Sequence, residues 1–204
     1  MGARVKRTVI AIFAASAIVA AVIVVTQRPY ANSRFDYGTL STIEGQVRSA
    51  PVPLLSTPTG PVLLVGQGKH GANVATGSAR IRGYLIARDD TRMMEVHEVQ
   101  ARNGASTAPP MRETLGTVAM RGEIVDSKCW LGVMNPGEKK VHRACASLCI
   151  RGGVPALLIS GNRHVVLSGP MNLLPYVAEP VEVTGDLSRE SGLLTMRVRR
   201  VRRL

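Results

Sequence analysis

All three cysteines of the chain, its single tryptophan and one of its four histidines fall within residues 126–155, DSKCWLGVMNPGEKKVHRACASLCIRGGVP. Thiols and imidazoles bind thiophilic metals, and thiols also carry redox chemistry, so their spacing is the first thing to read. His142, Cys145 and Cys149 stand at i, i+3 and i+7. At about 100° per residue they fall within roughly 60° of one another, so a helix would present one imidazole and two thiols along a single face. Cys129 lies just before the turn into that helix and can fold back over the face. Cys129, His142, Cys145 and Cys149 would together satisfy a tetrahedral thiophilic ion such as Zn(II) or Cu(I).

A disulfide competes with the metal. Three cysteines cannot all pair within one chain. Cys145 and Cys149 are poor partners on an intact helix, where Cβ atoms four residues apart lie about 5–6 Å from each other and a disulfide wants about 3.8 Å. A bridge from Cys129 to Cys145 or Cys149 is easier and would leave one thiol buried or reactive; a redox-active thiol set is the third reading. The Cys-x3-Cys spacing is similar to that of copper chaperones and binuclear copper subunits, but their histidine lies downstream and His142 lies upstream. The haem attachment motif Cys-x-x-Cys-His is absent.

His70 beside a glycine turn, His97 within a strand and His164 near a hairpin read as ordinary histidines. Trp130 reads as a packing residue against the inserted helix. Asp126 and Glu123 have no visible acid–base partner and no nucleophile triad is present, so an enzyme is the less favoured class.

The element that must hold the thiols is predicted as a helix over 136–151. Asn135 is its N-cap, Pro136 its first residue and Glu138 the capping-box partner. Gly152 can take the left-handed stop, and Pro155 prevents resumption. Val141, Ala144, Cys145, Leu148 and Cys149 make one stripe at helical spacing, expected to be buried.

Residues 1–30 form a separate object. Arg4, Lys6 and Arg7 precede an apolar run from Val9 to Val25. As a helix rising about 1.5 Å per residue, that run and its flanks just cross a bilayer core of roughly 30 Å. It exceeds the usual signal-peptide core, so a retained single-pass membrane anchor is expected over a cleaved signal. Basic residues on the short N-terminal side hold that end in the cytoplasm. The expected location is a bacterial inner membrane with periplasmic C-terminal domains. A net charge of +12 would otherwise point to nucleic acid, which this topology removes as a partner. Arg197, Arg199, Arg200, Arg202 and Arg203 carry much of the excess. They read as the solvated face of a last strand, with docking to a partner as the alternative.

After the anchor the chain repeats. GTLSTIEGQV (38–47) matches GTVAMRGEIV (116–125), PVLLVG (61–66) matches VPALLIS (154–160), and ARIRGYLIARDDTRMMEVHEV (79–99) matches VEVTGDLSRESGLLTMRVRRV (181–201). The segments are short and β-rich, broken by RDDT or RESG turns, with glycines at 45, 83, 122 and 185 where small barrels coil their strands. The fold class is therefore mainly β: a transmembrane helix and two tandem small antiparallel OB-like barrels, 34–101 and 115–204, joined by a linker over 102–114. The Cys/His helix is inserted after the first strand of the second barrel. VGQGKHG (65–71) lacks phosphate-loop spacing and reads as a strand-ending turn.

The run GEIVDSKCWLGVMNPGEKKVHRACASLCIRGGVPALL, with YGTLSTIEGQV, LLVGQGKHGA and VAEPVEVTGDL, resembles a family of uncharacterised bacterial single-pass membrane-anchored proteins. Its Cys-aromatic-Leu-Gly, His-Arg-Ala-Cys-Ala-x-x-Cys and Gly-Gly-x-Pro elements carry the likeness, with Trp130 where tyrosine is expected. The resemblance implies that the Cys/His helix is the family's distinguishing feature and implies no activity. Two roles are expected. One is an accessory or assembly subunit of a membrane complex, electron-transfer in character, with a structural Cys/His helix. The other is a metal-binding or thiol-redox protein using the four Cys/His residues.

Overall fold

The computed structural model describes residues 2–26, 32–102, 112–134 and 136–204. It divides into two units, Met1–Ala31 and Asn32–Leu204. In the first, helix α1 runs from Ala3 to Thr26. Its Ala3–Val25 stretch is long and apolar enough to cross a membrane, and its most apolar window is 0% buried. That length and composition are consistent with a single-pass anchor.

Among the described residues the second unit has ten strands. The first five are β1 (Ser33–Arg48), β2 (Leu54–Thr57), β3 (Gly60–Val65), β4 (Gly77–Arg88) and β5 (Thr91–Ala101). The second five are β6 (Arg112–Asp126), β7 (Ala156–Ser160), β8 (Arg163–Ser168), β9 (Pro180–Glu190) and β10 (Leu193–Arg203). Two five-stranded sheets each close on themselves, in the orders β1-β2-β3-β5-β4 and β6-β7-β8-β10-β9. β3–β5 and β8–β10 are the parallel pairs, and the other pairings are antiparallel. The two halves thus share one topology.

The repeat is real, but one of its expected matches is off by a strand. β7 is the second strand of its sheet and corresponds to β2, whereas PVLLVG is β3 and corresponds to β8. Both strands of each hairpin are short apolar runs, so hydropathy alone does not separate them. Most of the expected linker lies outside the described residues, and its last three residues, 112–114, already belong to β6.

The long first strands bend to pair on both sides, β6 with β9 and with β7. Gly122 sits at the bend, where an added Cβ would collide with the carbonyl of Ile159; Gly45 meets Ser56 in the same way in the first sheet. Only glycine permits so close a backbone approach. In β10 the register steps from Val198↔Gly185 to Arg200↔Thr184, so Arg199 is an extra residue. That bulge lets Met196, Val198 and Val201 all reach the core despite their uneven spacing.

Each sheet encloses a small core, one around Val47, Leu55, Val62, Leu64, Ile81 and Met94, the other around Ile124, Leu158, Val165, Val181, Val183 and Met196. A third core joins the halves. Leu54, Leu63, Ile86 and Met93 pack with Val125, Trp130, Leu131, Leu157 and Val166. This explains why β3 and β7 read as continuous apolar runs: alternate residues face the barrel interior and the neighbouring barrel, so both faces are covered. The two halves form a single compact unit.

Helix α2 is shorter than expected. It spans Arg143–Arg151, preceded by a 3-10 turn at Lys140–His142. Asn135 lies outside the described residues. The helix starts late because Lys139 has φ 67°, which no helix accepts, and its N–H is taken by the Glu123 carboxylate. Gly137 lies against the backbone of Cys129 and Trp130, where a Cβ would clash. The expected apolar stripe is also rotated. Val141 is 79% and Leu148 48% exposed, and Ala144 is exposed; the buried positions are His142, Ala146 and Cys149. The polar demand of the His/Cys face outweighs the hydropathy of valine and leucine.

Candidate metal centre

β6 delivers the first half of the site. Its last residue, Asp126, is fully buried and caps the helical turn that follows: Oδ1 accepts the Cys129 N–H at 2.9 Å. The turn Cys129–Val133 is a π-type bend closed by Gly132 at φ 139°. It sends Cys129 back toward α2. The other Asp126 oxygen, Oδ2, lies 3.1 Å from His142 Nε2. When His142 donates Nε2–H to this carboxylate, Nδ1 carries the lone pair, the arrangement by which proteins orient metal-binding histidines.

Ligand atoms of Cys129, His142 and Cys145 lie within 4.8 Å of one another, and so do those of Asp126, Cys129 and Cys149. Cys129 belongs to both groups. The four residues expected from the sequence thus fall into two overlapping groups: His142 and Cys145 meet Cys129 in one, and Cys149 meets Cys129 with Asp126 in the other. Cys129, Cys149 and His142 are buried and Cys145 is half-buried. The three cysteines are free thiols, so the expected disulfide from Cys129 to Cys145 or Cys149 is not formed in this structure. Tetrahedral zinc with sulfur at about 2.3 Å spaces its ligands about 3.8 Å apart, so one ion bound by all four residues would have to draw the two groups together around Cys129.

The thiols share hydrogen bonds. Cys129 donates to Cys149, and this bond, reinforced by burial and the Asp126 charge, pushes the Cys129 thiol far up. The same bond, received by Cys149, holds Cys149 below the ordinary thiol range, with Cys145 and the Lys69 ammonium acting in the same sense. Cys149 is accordingly the first of this pair to become the thiolate a metal requires.

The first barrel braces the site. Lys128, only 2% exposed, donates from Nζ to the carbonyls of Gly66 at 3.1 Å and Gly68 at 2.6 Å, and pairs with Glu95 at 2.5 Å. At the other end of the insertion, Gly71 N–H donates to Gly152 at 2.9 Å. The VGQGKHG segment is thus a clamp on both ends of the Cys/His segment and brings Lys69 near Cys149. Trp130 packs at the barrel junction, with the Arg88 guanidinium 4.0 Å over its ring and His164 at 5.1 Å. It serves packing, as expected, but between the barrels.

Asp126 and the Lys128–Glu95 pair escaped the sequence reading, which found no partner for Asp126. Asp126 followed three residues later by Cys129 is N-cap spacing, the one local signal for its role. Lys128 and Glu95 are 33 positions apart and carry none. Of the basic tail, Arg199 pairs with Asp186, Arg202 with Glu182, and Arg203 donates to the Pro175 carbonyl. These three hold the strand's own surroundings, while no ion pair is formed by Arg197 or Arg200 among the described residues.

No family model, curated protein or solved structure matches the chain.

Proposed function

We propose that this chain is a membrane-tethered accessory subunit whose second OB-like barrel carries a structural thiophilic metal centre. The ligands are Cys129, His142, Cys145 and Cys149, and Asp126 orients His142. The observation that carries this reading is the pair of donor groups sharing Cys129, one with His142 and Cys145 and one with Asp126 and Cys149, with His142 held by the Asp126 carboxylate. OB-like describes the order of each five-stranded sheet, closed through one parallel pair. Four protein donors would fill a tetrahedral shell, which suits an ion that stays, because an exchanging or catalytic site keeps an open position. Zn(II) fits best, with Cu(I) the soft alternative. The ion would tie β6 to α2, whose nine residues are too few to be stable alone. The tether, with the N-terminus cytoplasmic and the barrels periplasmic, places the metal domain at the membrane surface.

Co(II) tests this directly. Added to the chelator-stripped full chain in an uncharged detergent, it should give the intense visible bands of tetrahedral thiolate coordination at one equivalent, and Cys145→Ser should weaken them. Pale octahedral spectra, or bands unchanged in Cys145→Ser, would sink the assignment.

The accessory role draws on a second feature. Val141 in the 3-10 turn and Ala144 and Leu148 on α2 are exposed, an apolar stripe suited to contact with another membrane-complex subunit, an electron-transfer assembly being the expected class. Purification from native membranes would recover a stoichiometric partner with the wild type and lose it with Leu148→Asp; loss of no partner would count against the role.

A further inference from the structure

A cavity of about 360 Å³ lies away from the cysteines, where the β1–β2 loop of the first barrel at Ala50 and Pro51 meets β6, β8, β9 and β10 of the second. Its wall holds Arg112, Arg197, Ser168, Ser188 and Thr195. Ser188 and Thr195 are only 4% and 3% exposed, unusual for hydroxyls on a cavity wall. They share one hydrogen bond of 3.1 Å, which uses one of their two protons and leaves the other available to a ligand. Ser168 donates instead to the Met196 carbonyl and can only accept.

Positive charge is in excess here. Behind the cavity, the buried Glu190 carboxylate pairs with Arg48 and, at 3.5 Å, with Arg112. Arg48 Nε is buried without a partner, and burial together with the Arg112 charge pushes the Arg48 guanidinium down from its ordinary value. Arg197 forms no ion pair among the described residues. The carboxylate opposite it in register, Asp186, is occupied by Arg199 at 2.9 Å and Thr117 at 2.8 Å. Two guanidiniums, Arg48 and Arg112, thus share the Glu190 carboxylate, and a third, Arg197, lines the same cavity as Arg112.

We propose that this inter-barrel cavity is a binding site for a phosphate group, held by Arg112 and Arg197 with the Ser188–Thr195 hydroxyls. Guanidiniums on two sides and a hydroxyl at the floor offer donors in three dimensions, matching a tetrahedral oxyanion better than a planar carboxylate. A dianion would also relieve the crowding of Arg48 by Arg112. The cavity has room for more than the phosphate itself, so a small phosphate ester is accommodated. Phosphate chemistry has two sources for a membrane-tethered protein, a soluble phosphate ester or the headgroup of a phospholipid.

The test uses the full chain in an uncharged detergent, titrated calorimetrically with inorganic phosphate and separately with dihexanoylphosphatidic acid at constant ionic strength. Saturable one-to-one binding of either ligand is expected. Phosphatidic acid binding at least tenfold tighter identifies a lipid headgroup, and equal affinities identify a soluble phosphate. Arg197→Gln should weaken binding at least tenfold with the unliganded melting temperature unchanged, and Arg200→Gln should leave binding intact. No saturable binding of either ligand, or equal weakening by the two substitutions, would overturn the proposal, the latter by reducing it to unspecific charge attraction.

Discussion

Asp126→Asn separates positioning from packing at the metal centre. The substitution keeps size and one acceptor oxygen but removes the charge that receives both the Cys129 N–H and His142 Nε2. With Oδ1 still capping Cys129, the new amide points N–H groups at His142, whose Nε2 must then accept, moving the proton to Nδ1 and away from metal binding. In the metal-free protein, loss of charged hydrogen bonding at a fully buried position should cost about 1.5–3 kcal/mol. For a unit of this size that lowers the melting temperature by roughly 3–10 °C. Carboxylates behind metal-bound histidines are typically worth about 10–100-fold in affinity, so metal should bind weaker by a further 1.4–2.7 kcal/mol or so. Melting curves with chelator and with one equivalent of Zn(II) measure the two separately. Equal losses in both conditions would refute the positioning role and leave Asp126 as a helix cap alone.

Three other outcomes follow from particular contacts. Lys128→Ala leaves the buried Glu95 carboxylate and two loop carbonyls without their cation; denaturant melts should show a loss of about 3–5 kcal/mol, and a loss under 1 would contradict the clamp. Val141→Asp, at 79% exposure, should change stability by less than about 0.5 kcal/mol, and a large loss would restore the rotated stripe. Burial, then the Arg88 charge, holds the His164 pKa below its ordinary value. A depressed histidine binds more protons when unfolded, so stability should fall as pH drops below about 6.5 toward the folded value. His164→Gln should flatten that part of the curve, and an unaltered slope would rule His164 out as its source.

The β architecture could be read from the chain because its signals are local: glycines where strands bend, two-residue turns at RDDT and RESG, and alternation along β4 and β9. Asp89 and Ser191 indeed take left-handed conformations in those turns. The junction of the barrels could not be read in this way. Arg88 over Trp130 and Lys128 on Glu95 link residues far apart in sequence, and the only trace is that β3 and β7 are apolar throughout. The Cys/His spacing was legible because it is local: His142 and Cys145 join Cys129 in one group of possible ligands, and Cys149 joins Cys129 in another. Helix hydropathy was right for Cys149, which is buried, and for half-buried Cys145, but wrong for Val141, Ala144 and Leu148, because the inward side also takes His142 to the Asp126 carboxylate. The expected helix does not start at Pro136, because Gly137 packs on the Cys129 backbone and Lys139 takes a positive φ.

The central claim is best tested by counting metal and thiols on the full chain extracted from membranes without chelator. Elemental analysis should find about one Zn or Cu per chain. All three cysteines should resist alkylation until chelator is added and then react. One disulfide, one free thiol and no metal would make the Cys/His segment a covalent staple and contradict the account.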